Sequence, residues 1–68
     1  MNEEVFNLEV RKFLKKVGIQ SQREIEQAVR YNIEKGKLIG TEILSASVVL
    51  LVPDIGVEVS IDGEIGLT

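Results

Sequence analysis

The sequence predicts an α+β fold in which two N-terminal α-helices pack on one face of a C-terminal antiparallel β-hairpin (ααββ). Three observations predict it. Apolar residues recur at helical spacing through the first half. A glycine followed by a Ser-x-x-Glu signature divides that half at residues 18–24. Strict apolar alternation then runs through the last third. The 68 residues read as a single domain, 1–68, with helices at 3–17 and 22–35, a connector at 36–43, and strands at 44–52 and 57–67.

The first helix opens at Asn2, a good N-cap residue, with Glu3 and Glu4 in the turn where the helix dipole favours negative charge. Phe6, Val10, Phe13, Leu14 and Val17 form its apolar stripe, and Arg11, Lys12, Lys15 and Lys16 suit its C-terminal half. Gly18 is placed to take the left-handed conformation that stops a helix. Val5 and Leu8 fall off the stripe, so Leu8 is either edge cover for the core or a partner-contact residue.

Ser21-Gln22-Arg23-Glu24 has the form of a capping box, in which the Ser21 hydroxyl accepts from the Glu24 amide and the Glu24 carboxylate accepts from the Ser21 amide. Ile25, Ala28, Val29 and Ile33 give the second helix its stripe, with Tyr31 at the flank, and Lys35-Gly36 ends it. With only residues 18–20 between them, the two helices are expected to form an αα pair. Gly36 to Ile43 is a connector in which Lys37-Leu38-Ile39 has the composition of a very short strand.

In the last third, every odd position from Ile55 to Leu67 is apolar or glycine, and the even positions from Glu58 onward are polar or small. Pro53-Asp54-Ile55-Gly56 suits a four-residue turn, Pro setting the first dihedral and Gly closing it at positive φ. Counting outward pairs Val52 with Val57, Leu50 with Val59, Val48 with Ile61, Ala46 with Gly63 and Leu44 with Ile65. Every pair on that face is apolar. A two-residue turn at Asp62-Gly63 would split the face, so the strand is expected to run through, with Gly63 as a bulge or a close-packing point. The opposite face pairs Leu51 with Glu58, Val49 with Ser60, Ser47 with Asp62 and Ser45 with Glu64. Two strands with both edges free are marginal alone, so a partner, most simply a second copy, is expected over an edge or over Val49 and Leu51.

Charge is divided along the chain. Residues 1–37 hold all eight Lys and Arg beside six Glu, net +2, whereas residues 38–68 hold five carboxylates and no basic residue, net −5. Such opposite halves attract each other within a molecule or across a dimer.

The composition excludes several chemistries. With no Cys and no His, there is no disulfide framework, no zinc finger and no Cys/His nucleophile. The N-terminus has no signal-peptide pattern, and the longest apolar run, Val48–Val52, is far shorter than a membrane span. A cytoplasmic protein with no membrane association is expected. The glycines do not form a phosphate-binding loop. Ser45, Ser47, Asp62 and Glu64 share a sheet face and offer hard oxygen ligands, but without ligand-loop spacing they read as a solvated acidic face. No catalytic, cofactor-binding or metal residue is assigned.

Helix, short turn, capped helix and hairpin is also the layout of a truncated winged helix-turn-helix, which would place Arg23, Gln27 and Arg30 on a nucleic-acid-contacting face. The acidic hairpin and a pI near 4.8 weigh against nucleic acid.

Met1 to Asn7, Arg11 to Gly18, Ser21 to Glu26 and Gly36-Lys37-Leu38 together resemble a family of short uncharacterised bacterial proteins classed as a domain of unknown function. The resemblance spans essentially the whole chain and implies a bacterial cytoplasmic protein of one domain. It carries no activity and transfers no functional residue. The function expected from the residues is a small non-enzymatic protein-interaction module, a homodimer with Leu8, Val49 and Leu51 as partner-contact residues. The alternative is a nucleic-acid-binding helix-turn-helix.

Overall fold

A computed structural model describes residues 1–68. In chain order it contains one α-helix (α1, Glu3–Glu34), a β-strand (β1, Ile43–Val52), a single 3-10 turn (Pro53–Ile55) and a second strand (β2, Val57–Gly66). The fold is α+β, one long helix followed by an antiparallel hairpin.

The start of α1 follows the sequence. Asn2 has an extended backbone and its Oδ1 accepts from the Val5 amide at 3.1 Å, with Glu3 and Glu4 in the first turn. Its end also follows. Lys35 is the C-cap and Gly36 turns left-handed at φ 78°. The Gly36 amide donates to the Ile33 carbonyl at 3.0 Å and the Lys37 amide to the Asn32 carbonyl at 2.9 Å. These are the two bonds of a Schellman stop, which satisfy carbonyls that the helix leaves unpaired. The Lys35 ammonium also lies 5.6 Å from the centre of the Tyr31 ring.

Between those ends the structure corrects the sequence reading. Helices at 3–17 and 22–35 are one helix of 32 residues, and Gly18, Ile19, Gln20 and Ser21 are interior positions. The αα pair is absent, Gly18 does not take positive φ, and Ser21 does not cap anything. The reason lies in the balance of local terms. An interior glycine costs a helix only about 0.5–1 kcal/mol relative to alanine, and no proline forces a stop here. A turn would forfeit several backbone hydrogen bonds, which tertiary packing between two helices would have to replace. Val17, Ser21 and Ile25 are also spaced four apart, so the apolar stripe crosses residues 18–20 in phase.

The hairpin matches the expected register throughout: Val52 faces Val57, Leu50 faces Val59, Val48 faces Ile61, Ala46 faces Gly63 and Leu44 faces Ile65. Pairing continues through Asp62 and Gly63 without a turn or a bulge. At the tip, Gly56 takes φ 69° and its amide donates to the Pro53 carbonyl at 3.1 Å, closing the reversal. At the open end, the Leu67 amide donates to the Glu42 carbonyl at 3.0 Å, which extends the ladder by one pair. Lys37-Leu38-Ile39 is not a strand.

The chain divides into two compact units, Met1–Lys37 and Leu38–Thr68, and this boundary is also the boundary of charge. No side chain in either unit is buried.

Candidate interaction surfaces

On the hairpin, alternation puts two chemically different faces back to back. One is apolar along its full length. Its central pair, Val48 and Ile61, is 46% and 57% exposed, while Leu44, Leu50, Val52, Val57 and Ile65 are half-buried among their neighbours. The other face is divided. Val49 and Leu51 lie near the tip, 58% and 55% exposed. Ser47 opposite Asp62 and Ser45 opposite Glu64 lie towards the open end. The Ser and carboxylate residues that could have offered oxygen ligands thus share a face, but no three acidic, His or Cys side chains converge on a point where a metal could sit.

The hairpin's approach loop is organised by one side chain. The Glu42 carboxylate accepts from the amides of Ile39 at 2.8 Å, Gly40 at 2.9 Å and Thr41 at 3.2 Å. Gly40 takes φ 108°, a conformation open to glycine, and so turns its amide into this ring of donors. The Ile39 and Gly40 amides, in that order, hold the Glu42 carboxyl below the usual range, because each bond favours the ionised form. Sequence reading did not single out Glu42. The signal available was a carboxylate following Gly40-Thr41 at the mouth of a strand, a weak one.

Continuity of α1 aligns residues that a turn would have separated. At roughly 100° per residue, Phe6, Val10, Phe13, Leu14, Val17, Ile25 and Ala28 fall on one stripe, and Ser21 lies at its middle. The two phenylalanines are about half exposed. Leu8, 63% exposed, stands on the opposite side of the helix from this stripe.

Arg23, Gln27 and Arg30 do share a helix face, as their spacing requires, but there is no turn to make a helix-turn-helix of them. Instead they continue a row begun by Lys12 and Lys16. Between Lys12 and Arg30 this row has four cations over about 27 Å of helix axis, with Glu26, one turn before Arg30, at its flank. A shallow open depression lies along it, lined by Lys12, Lys15, Lys16, Ile19, Arg23 and Glu24. From the sequence Lys12 and Lys16 read as partners of the first helix's dipole, because the expected break at Gly18 puts them on a different helix from Arg23 and Arg30.

No helix is long and apolar enough to cross a membrane. No curated protein and no solved structure matches the chain. A family model described as a family of unknown function (DUF6494) matches residues 1–68, the whole of the chain, and the chain belongs to that family.

Proposed function

We propose that the protein is a small non-enzymatic interaction module that works in the cytoplasm as a homodimer, its apolar surfaces covered by a second copy. One observation carries this reading. A chain with 44% apolar residues buries none of them by itself. Burial of apolar surface is the dominant favourable term in folding, at about 25 cal/mol per Å². A two-stranded hairpin is also marginal in water without further strands or a helix against it. The opposite charges of the two units, +2 and −5, favour contacts between unlike units of two copies. Sedimentation equilibrium over a concentration series tests this. Twice the chain mass of 7.6 kDa is expected, and a single monomeric species at the highest concentrations would contradict it.

A second reading is favoured by the row of Lys12, Lys16, Arg23 and Arg30: this face contacts the phosphate backbone of nucleic acid, without a helix-turn-helix. Such binding would be sequence-independent and steeply salt-dependent. Fluorescence anisotropy with a labelled duplex tests it, and no binding at low salt removes it.

A further inference from the structure

The hairpin has two outer edges, one on each strand, and they differ in a way that selects between them. β1 reads Ile-Leu-Ser-Ala-Ser-Val-Val-Leu-Leu-Val, ten residues without a charge, a proline or a bulge. These are the devices by which edge strands are kept from pairing, and β1 has none of them. β2 carries Glu58, Asp62 and Glu64.

The ladder shows which groups are available. The Leu67 amide donates to the Glu42 carbonyl, so pairs of the Glu42–Leu67 type exchange hydrogen bonds and the alternate pairs do not. On β1, the amides of Ser45, Ser47, Val49 and Leu51 therefore point away from β2. On β2, the outward amides belong to Glu58, Ser60, Asp62 and Glu64.

Pairing β2 with its own copy, antiparallel and with the apolar faces on the same side, brings carboxylates together. In one near-full register Glu58 stands opposite Glu64, and in the next Asp62 stands opposite itself. Like charges directly opposite are destabilising. The equivalent registers of β1 place Ser45 opposite Leu51 and Ser47 opposite Val49, or Ser47 opposite itself, and no charge meets another.

We propose that β1 is the pairing edge: two copies join β1 to β1, antiparallel about a two-fold axis perpendicular to the sheet. The result is a four-stranded sheet in the order β2-β1-β1-β2. This rests on the self-association reading above and specifies its geometry. The sheet then has the strand number at which a sheet with one apolar face becomes independently stable. Val48, Leu50, Val59 and Ile61 of both copies form one continuous apolar face. On the other face, Val49 and Leu51 of one copy stand opposite Ser47 and Ser45 of the other in the first of these registers, and the acidic side chains of β2 lie along the two outer strands.

Site-resolved amide hydrogen exchange on the full chain, at a concentration where its sedimentation has been measured, tests the assignment. The amides of Ser45, Ser47, Val49 and Leu51 are expected to exchange at least about a hundredfold more slowly than those of Ser60 and Asp62. Comparable rates for the two sets in a dimeric sample would overturn the β1 edge while leaving self-association standing, and a monomeric sample would remove both. Ser47→Pro and Ser60→Pro give a second readout, since each removes an outward amide without removing a bond of the hairpin. Ser47→Pro should sediment as a monomer and Ser60→Pro as a dimer, and the reverse pattern would assign pairing to β2 instead.

Discussion

The Glu42 carboxylate and the Gly40 amide are joined at 2.9 Å, and the same carboxylate takes the Ile39 amide at 2.8 Å. One side chain therefore shapes the loop before β1, while its own carbonyl accepts from Leu67 and closes the open end of the hairpin. Because the bonds favour the ionised form, the folded carboxyl titrates lower than the unfolded one. Its contribution to stability is complete above the unfolded value and is lost as pH falls through the folded value.

A carboxyl-detected NMR titration should place Glu42 below the ordinary glutamate range. In Glu42→Gln, exchange of the Ile39 and Gly40 amides should quicken by about tenfold as the loop loosens. A Glu42 that titrates in the ordinary glutamate range would remove the ring of donors from solution.

Continuity of α1 gives opposite signs to two substitutions. At Gly18 an added Cβ meets no atom within 4 Å, and the backbone is helical. Gly18→Ala should therefore stabilise the helix by about 0.5–1 kcal/mol. Were Gly18 a left-handed stop, the same change would destabilise. Circular dichroism at 222 nm through a thermal melt distinguishes the two.

Caps give a companion test. Asn2→Ala should cost about 1 kcal/mol, because Oδ1 satisfies the Val5 amide. Ser21→Ala should be neutral or slightly stabilising, since Ser21 sits inside the helix. A loss at Ser21 equal to that at Asn2 would restore the capping box.

These contrasts show where the sequence was informative. The hairpin was legible to the residue because three independent signals agree on one register: period-two alternation, the Pro53–Gly56 turn, and Ala46 meeting Gly63. A slip of one residue would have turned every apolar side chain to the other face. In the helical half the signals conflicted. Gly18 and Ser21-x-x-Glu24 are local terms of about 1 kcal/mol each, and both point to a break. The unbroken phase from Val17 through Ser21 to Ile25 was the stronger evidence, since a turn would have reset it. The partner surfaces were legible only as faces, because no motif in the chain names a ligand.

Covering of the apolar sheet face makes Val48 decisive. In a single chain it is about half exposed, and a polar substitution there would fall within about 0.5 kcal/mol. In the proposed β1–β1 pair it stands at or beside the two-fold axis, against the second copy. Val48→Asp should weaken self-association at least tenfold, about 1.4 kcal/mol, by sedimentation equilibrium. An unchanged association constant would place the interface elsewhere.

If the basic face of α1 meets phosphates, Lys12 and Lys16 should contribute alongside Arg23 and Arg30. Lys12→Ala should weaken duplex binding uniformly across sequences and lower the salt slope by about 1. Equal binding by the variant and the unaltered chain would detach that face from any polyanion.

Whether folding and association are one event is tested most directly by thermal unfolding at several protein concentrations. A chain that buries its apolar surface against a second copy has a Tm that rises with concentration, by mass action. That rise is the expected result, and a cooperative transition with a concentration-independent Tm would contradict the account.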